Sequence, residues 1–148
     1  MGKEIERKFL VSAPEEVRIE AFDSVRIRQG YLSVDPQRTV RVRMRGERGY
    51  LTVKGITVGT ERAEWEFEIP AVDAVEMLSL CIGKVIDKTR YLVRHEGQIW
   101  EVDEFQSPVR LWLAEAELQS ADDNLKLPRW IGREVTGNPD YYNSNLAK

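Results

Sequence analysis

The sequence predicts a single domain of the α+β class that consists mainly of antiparallel β-strands. Three observations lead to this prediction. The chain has 148 residues, which suits one domain with a sizeable core and rules out two large ones. Segments of strict two-residue alternation recur along most of the chain, bounded by Gly, Pro, Asn or Asp. Helical spacing is confined to three short stretches, and no low-complexity linker divides the chain.

The alternating segments give the order of the predicted strands. Glu4, Glu6 and Lys8 occupy alternate positions of the first strand, and residues 30–34 form a weaker one. Two hairpins are predicted, one from residues 40–45 and 50–54 with a turn at 46–49, and one from residues 88–94 and 99–105 with a turn at 95–97. Residues 64–69 and 113–118 are the other two predicted strands. Because side chains alternate between the faces of a strand, each segment has an apolar face and a charged face.

Helices are expected in three places. Ser12 and Glu15 have the spacing of a capping box ahead of a first helix. A second helix is expected after Pro70, where apolar residues recur at helical spacing at Val72, Val75, Leu78 and Ile82. Residues 121–130 are expected to form a third short helix, which Pro128 interrupts.

The charge balance and the absence of long apolar runs exclude several classes of protein. Lys and Arg total 22 against 25 Asp and Glu, so the net charge is −3, which argues against a general nucleic-acid-binding protein. The first eight residues are mostly charged, and no apolar run approaches the roughly 18 residues of a membrane span. The protein is therefore expected to be soluble and cytoplasmic, with no membrane partner.

Cysteine and histidine are too scarce for several kinds of site. The single cysteine, Cys81, excludes an intrachain disulfide framework and a cysteine-rich zinc site. The single histidine, His95, lies in a predicted turn, where a solvated side chain is expected. A Ser-His-Asp triad and a histidine metal cluster are therefore not expected.

The charged faces are sorted by sign from strand to strand. Cations occupy alternate positions at Arg41, Arg43, Arg45, Lys54, Lys88 and Arg90, and carboxylates do so at Glu64, Glu66, Glu68, Glu101, Asp103, Glu115 and Glu117. For any one strand, a solvated face of an antiparallel sheet is the simpler explanation. A face made only for solubility mixes both signs, however, so the sorting indicates a function.

A barrel would bring these charged faces together. If about eight strands close into a barrel, its lumen has room for long side chains and one small ligand. Unpaired charges inside such a lumen would cost several kcal/mol each, so the lumen must be wet and must hold charges of both signs. A polyphosphate with a divalent metal ion meets this condition, because guanidinium and ammonium groups bind phosphate oxygens and carboxylates bind Mg²⁺ or Mn²⁺.

The order of these motifs resembles that of the CYTH domain family, also called the triphosphate tunnel metalloenzymes. Residues 4–8, Glu-Ile-Glu-Arg-Lys, match the ExExK signature of that family. Further motifs follow in the order that the family uses, namely Arg41-x-Arg43, Lys54, Glu64-x-Glu66, Lys88-x-Arg90, Glu101-x-Asp103 and Glu115-x-Glu117. Residues 29–33 and 130–136 look like those of the short bacterial members, so the resemblance covers nearly the whole chain.

The resemblance implies a closed eight-stranded tunnel barrel with a charged lumen and a few covering helices. It also implies roles for the charged residues. The expected catalytic and phosphate-binding cations are Lys8, Arg41, Arg43, Lys54, Lys88 and Arg90. The expected metal ligands are Glu4, Glu6, Glu115 and Glu117. Glu4 and Glu6 are also expected to be catalytic. The expected supporting carboxylates, which would hold a second ion, orient water or fix the cations, are Glu64, Glu66, Glu101 and Asp103. Arg45 and Glu68 continue their stripes outward and are expected at the rim or surface.

By the same resemblance, the expected function is metal-dependent hydrolysis of inorganic triphosphate to pyrophosphate and phosphate. Two enzymatic alternatives stay open, a class IV-type adenylyl cyclase and a thiamine or nucleoside triphosphatase. A polyphosphate-binding barrel without catalysis is the alternative outside the enzymes, although dense carboxylates argue against pure anion binding. RNA-processing relatives are longer, so no nucleic-acid partner is expected.

A barrel with charged residues inside carries its apolar residues outside. The residues expected on the outer faces are Trp65, Phe67, Tyr91, Trp100 and Val102. Three short helices are not enough to cover all of them, so the sequence predicts a homodimer that packs through the outer faces of its strands.

Overall fold

The computed structural model describes the backbone of residues 2–148 and the side chains of residues 4–148. This part of the chain contains nine β-strands, three short α-helices and one 3₁₀ helix. In chain order the elements are β1 (Gly2–Val11), α1 (Pro14–Glu20), β2 (Asp23–Ser33), β3 (Thr39–Arg45), β4 (Arg48–Val58), β5 (Glu61–Ile69), α2 (Ala71–Leu78), β6 (Ile82–His95), β7 (Gln98–Ser107), β8 (Leu111–Glu117), β9 (Ile131–Glu134), the 3₁₀ helix (Pro139–Tyr141) and α3 (Asn143–Leu146).

Eight of the strands close into an antiparallel barrel in the order β5-β4-β3-β2-β6-β7-β8-β1. The first half of β1 pairs with β5, with Ile5 opposite Glu61, and this pairing closes the barrel. The second half of β1 pairs with β9, where Phe9 lies opposite Glu134. Strand β9 is therefore an addition beside the closed barrel, and the predicted eight-stranded fold is confirmed.

Several predicted elements differ in extent from the observed ones. The weak strand at residues 30–34 is the end of the 11-residue strand β2. Helix α2 ends at Leu78, and Ile82 already begins β6. The predicted capping box at Ser12 is wrong, because Ala13 is the N-cap of α1 and the Ser12 hydroxyl donates to the Ile131 carbonyl at 3.3 Å.

The helix predicted over residues 121–130 is also wrong. Residues 121–122 and 129–130 are turns, and the chain between them has no regular secondary structure. The Asp123 carboxylate accepts hydrogen bonds from the backbone N–H groups of Gln119 and Ser120, at 3.0 and 3.1 Å. Aspartate commonly holds a turn in this way, in competition with helix formation.

Two apolar clusters cover the outside of the barrel. In the first, Trp100 and Val102 of β7 pack against Val17 of α1 and Trp130, and all four side chains are fully buried. In the second, α2 packs on the outer faces of β3 and β4. There Gly49 makes close contact possible, because a Cβ atom at this position would lie 2.6 Å from the Ala74 Cβ.

These clusters leave one part of the outer surface uncovered. Trp65 and Phe67 of β5 are 37% and 60% exposed, and Val72 and Val75 of α2 are also exposed. Helices and loops of the chain thus cover the outer apolar residues Trp100 and Val102, but they leave those of β5 exposed to solvent.

A third apolar cluster lies inside one end of the barrel. Inward-facing residues of four strands, Tyr31, Ile86, Phe105 and Leu113, pack there against Val135, Leu146 and Ala147. We refer to residues 135–148 as the C-terminal segment. Because this segment closes one end of the lumen with apolar side chains, the open space lies in the charged part of the barrel.

The helices of residues 2–148 are all too short or too polar to cross a membrane.

Candidate active site

The charged part of the barrel encloses a polar cavity with a volume of about 250 Å³. The predicted site residues line this cavity, except Asp103, which contacts two of the lining cations. The lining residues that the sequence predicted are Glu4, Glu6, Lys8, Arg41, Arg43, Lys54, Glu64, Glu66, Lys88, Arg90, Glu101, Glu115 and Glu117. Arg45 and Glu68 do not line it, as expected from their positions farther along the stripes.

The two-residue alternation of the strands directs these side chains into the cavity. On β3, Arg41 and Arg43 line the cavity, while Val42 between them packs outward against α2. On β5, Glu64 and Glu66 line the cavity, while Trp65 faces outward. The sorting of charge by strand face therefore reflects an interior and not a solvated surface.

The cavity cations are buried close to one another. Lys8, Arg41, Arg43, Lys88 and Arg90 are between 1% and 8% exposed. Burial, together with repulsion from Arg41 and Arg90, lowers the pKa of Arg43 to about 9. Burial also lowers the pKa of Lys88 to about 7, although Asp103 opposes this effect. A polyanion would relieve the crowding of positive charge in this part of the cavity.

Carboxylates crowd together on the adjacent strands β1 and β8. Glu6 lies directly opposite Glu117, and Glu115 lies two residues away on β8. Burial and repulsion from Glu115 and Glu4 raise the pKa of Glu6 well above its ordinary value. Burial and repulsion from Glu4 and Glu101 also raise the pKa of Glu117. The four glutamates in this part of the cavity outnumber the two nearby lysines, Lys8 and Lys54.

Lysines compensate two of these glutamates. Lys54 Nζ lies 2.9 Å from Glu4 Oε2, and Lys8 Nζ lies 3.4 Å from Glu115 Oε1. Burial raises the pKa of Glu4, but the contact with Lys54 outweighs it and leaves the pKa lowered. Likewise, Lys8 and Arg90 outweigh burial and lower the pKa of Glu115 to about 2.

Among the described residues, no group of three or more His, Cys, Asp or Glu side chains is arranged to hold a metal ion. Glu4 and Glu115 each contact a lysine instead. They would have to exchange these lysines for an ion before they could act as ligands together with Glu6.

Three of the four supporting carboxylates contact cations of the cavity. Glu66 Oε2 accepts from Thr52 Oγ1 at 2.8 Å and lies 3.4 Å from Arg41 Nη2. Arg90 donates to Glu101 at 3.1 Å and makes two hydrogen bonds to Asp103. The fourth, Glu64, differs because burial, opposed by Lys54 and assisted by Glu4, raises its pKa to about 7.

The cavity also contains residues that the sequence analysis did not single out. Arg62 of β5 lines it and donates to Gly55 O at 2.6 Å and Thr39 Oγ1 at 2.7 Å. It lies two residues before Glu64, so the alternation that identified the glutamates could have found it. The C-terminal segment supplies Thr136, Gly137, Tyr142, Asn143 and Ser144. No alternation or charge pattern marks these residues.

Comparison with known proteins agrees with the architecture and charge of the cavity. The model of the CYTH domain family matches residues 2–145. The chain is 49% identical over 154 residues to a protein of Acetivibrio thermocellus named inorganic triphosphatase, a match that covers 100% of this chain and 95% of the relative.

Solved structures share the fold. The crystal structure of the inorganic triphosphatase NE1496 superposes with a TM-score of 0.64 at 33% identity, covering 97% of each chain. A putative adenylate cyclase from Bacillus halodurans superposes with a TM-score of 0.56 at 20% identity, covering 81% of this chain and 83% of the other. At that identity the second match shows a common fold alone.

Proposed function

The chain belongs to the CYTH domain family, and from this membership we propose that it hydrolyses inorganic triphosphate to pyrophosphate and phosphate. The observation that carries the proposal is the match along the whole chain to a relative named inorganic triphosphatase. The cavity supports it independently, because its lining includes both buried cations and crowded carboxylates. A site of this composition suits a polyanion that carries a divalent metal ion.

In this proposal, the buried cations bind the three phosphates. The cavity is lined by six cations from four strands, so they contact a chain of phosphates from several sides: Lys8, Arg41, Arg43, Lys54, Lys88 and Arg90. As water adds to a terminal phosphorus and the anhydride bond breaks, negative charge grows on the departing pyrophosphate. Guanidinium and ammonium groups that are already in place stabilise this charge without reorganisation.

The donor set fits a hard divalent cation, for which we propose Mg²⁺ or Mn²⁺ with Glu4, Glu6, Glu115 and Glu117 as ligands. Carboxylate oxygens are the preferred protein ligands of both ions. The raised pKa of Glu6 supports this assignment, because a cation among these glutamates would relieve their repulsion. A bound ion would neutralise phosphate charge and acidify a water molecule.

The supporting carboxylates have a different part in the proposal. Asp103 and Glu101 hold the guanidinium of Arg90, and Glu66 contacts that of Arg41. We propose that these three carboxylates fix the cations for phosphate binding. Among the described residues, Glu64 forms no ion pair with an arginine, and its raised pKa suits a group that orients water.

Phosphate release from tripolyphosphate tests the proposed function. The wild-type protein is expected to release phosphate with Mg²⁺ or Mn²⁺ and to stop when EDTA is added. Glu4→Gln is expected to lose most of this activity, because it removes one carboxylate charge from the proposed ion site. Glu68→Gln is the matched control, since Glu68 is exposed and lies outside the cavity. Undiminished turnover in EDTA would contradict the metal-dependent reaction.

A parallel reaction with ATP separates the enzymatic alternatives. An adenylyl cyclase would form cyclic AMP from ATP, whereas a nucleoside triphosphatase would release phosphate from it. We expect tripolyphosphate to be the better substrate and cyclic AMP to be absent. Binding of tripolyphosphate without any turnover would instead favour the non-catalytic barrel.

We also propose that the chain forms a homodimer through the uncovered outer surface of β5 and α2. Phe67 and Val72 are its most exposed apolar side chains, and monomers seldom leave such a group uncovered. Sedimentation at micromolar concentration is expected to give a dimer, which Phe67→Glu weakens. Ile19→Glu on α1 is the matched control, because Ile19 is also exposed but lies on another element. A wild-type monomer would contradict the proposal.

A further inference from the structure

The C-terminal segment contacts the cavity cations through uncharged oxygen atoms. Asn143 Oδ1 accepts a hydrogen bond from Lys88 Nζ at 3.0 Å and another from Gln29 Nε2 at 3.0 Å. Tyr141 supplies a backbone carbonyl, which accepts from Lys8 Nζ at 3.0 Å. One short segment thus orients two ammonium groups from different strands, Lys8 of β1 and Lys88 of β6.

Gln29 extends this network to a guanidinium. Its Oε1 accepts from Arg43 Nε at 3.0 Å and from Arg43 Nη2 at 2.9 Å, while its amide nitrogen donates to Asn143. Gln29 is completely buried. Two neutral amides therefore connect Arg43 of β3 to Lys88 of β6, with Gln29 on the intervening strand β2.

Neutral acceptors have a physical advantage in a site that binds a polyanion. A carboxylate such as Asp103 holds Arg90 firmly, but it also cancels positive charge that phosphates would otherwise attract. An amide oxygen such as Asn143 Oδ1 helps to fix the direction of the Lys88 ammonium group, which also contacts Asp103 at 2.7 Å, without cancelling any more of its positive charge. Orientation before binding reduces the entropy that a long lysine side chain loses when a ligand binds.

We infer that Asn143 is a positioning residue, which holds Lys88 directly and Arg43 through Gln29 in the geometry that binds phosphate. This inference rests on the proposed function, since it concerns how the same cavity binds tripolyphosphate. The C-terminal segment accordingly has two roles, to close one end of the barrel and to orient cations of the site.

Two substitutions separate orientation from charge. Asn143→Ala removes both hydrogen bonds and is expected to raise the KM for tripolyphosphate about tenfold, with a smaller change in kcat. Asn143→Asp keeps two acceptor contacts but adds a negative charge beside Lys88. It is expected to keep the thermal stability of the wild type and still raise KM, which a merely structural role would not produce.

Asn145→Ala is the matched control on the same helix. Asn145 Nδ2 donates to Pro139 O at 2.6 Å, so the substitution also removes a hydrogen bond from the C-terminal segment, but Asn145 does not line the cavity. We expect its KM to equal that of the wild type. An equal rise in KM for Asn145→Ala would assign the effect to the helix as a whole and overturn the inference.

Binding and turnover are measured separately, so that the two proposals fail in different ways. Calorimetric titration of tripolyphosphate in EDTA reports binding without turnover, and Asn143→Ala is expected to weaken it about tenfold. If the wild type binds tripolyphosphate but releases no phosphate, the proposed function fails while this titration still tests Asn143. If both Asn143 variants keep the affinity and the KM of the wild type, the inference alone is overturned. If the wild type neither binds tripolyphosphate nor releases phosphate from it, both proposals are overturned.

Discussion

The guanidinium of Arg90 donates two hydrogen bonds to the carboxylate of Asp103, from Nε at 2.7 Å and from Nη2 at 2.9 Å. The two residues lie opposite each other on β6 and β7, and Lys88 Nζ adds a third contact to Asp103 at 2.7 Å. Arg90 and Lys88 outweigh the effect of burial and hold the pKa of Asp103 far below its ordinary value. One buried carboxylate therefore compensates two cations.

Replacement of Asp103 should destabilise the folded protein. Asp103→Asn removes the carboxylate that pairs with Lys88 and one of the two carboxylates that pair with Arg90. We expect a loss of about 3 to 5 kcal/mol in the free energy of unfolding, measured by urea denaturation at pH 7. Asp87→Asn is the matched control, because Asp87 lies on the same strand as Arg90 but is partly exposed, and it pairs at 2.6 Å with the exposed Arg26 of β2. Its effect should stay within about 1 kcal/mol, and equal losses would contradict the role assigned to Asp103.

Much of the barrel and of the site could be predicted because both depend on one local signal. A strand of two-residue period fixes which side chains share a face, so a row such as Arg41 and Arg43 reaches the lumen wherever the strand lies in the barrel. The glutamates of β1 and β8 could be placed in one site for the same reason. Strand ends were less accurate, because bulges such as that between Lys54 and Thr57 of β4 interrupt the alternation.

The remaining features depend on contacts that no local pattern records. Asn143 reaches the cavity because the C-terminal segment folds back into one end of the barrel, and a helix of four residues has too short a pattern to predict. The error at residues 121–130 has a related cause. Trp130 packs against Trp100, so a distant core contact determines the path of this segment in place of helix propensity.

Glu64 should make stability depend on pH in a specific direction. Its pKa is raised from 4.5 to about 7 in the folded state, so between these values the folded protein binds more protons than the unfolded chain. Stability from this group is therefore present below pH 4.5 and is lost as the pH rises to about 7. Glu64→Gln removes this loss, and the difference in Tm between variant and wild type, measured in EDTA, should grow across this range.

Glu64→Asp is the control for this experiment, because it keeps a titratable carboxyl group at the same position of β5. The dependence of its Tm on pH should resemble that of the wild type more than that of Glu64→Gln. A difference between Glu64→Gln and the wild type that stayed constant or shrank from pH 4.5 to 7 would contradict the raised pKa.

Trp130 should be a main contributor to the outer core. It is fully buried, and its ring meets that of Trp100 edge-on at a centroid distance of 5.7 Å. We expect Trp130→Ala to lower the free energy of unfolding by about 3 to 5 kcal/mol. Trp130→Phe should lower it much less, because the buried indole Nε1 has no hydrogen-bond partner among the described residues.

Divalent ions should stabilise the protein through the glutamates of β1 and β8. Glu6 and Glu117 face each other on adjacent strands, and like charges in such pairs are destabilising. A proposed ligand ion at about a hundredfold excess over its dissociation constant adds about 2.7 kcal/mol to the free energy of unfolding, which raises Tm by several degrees. Glu6→Gln removes the repulsion but also removes a proposed ligand, so it should affect the Tm differently without and with the ion. Its Tm in EDTA should equal or exceed that of the wild type, whereas the increase in its Tm on addition of Mn²⁺ should be smaller than that of the wild type. Glu68→Gln, which alters an exposed glutamate outside the cavity, should keep the full shift. If Mn²⁺ raises the Tm of Glu6→Gln as much as that of the wild type, the ion binds elsewhere.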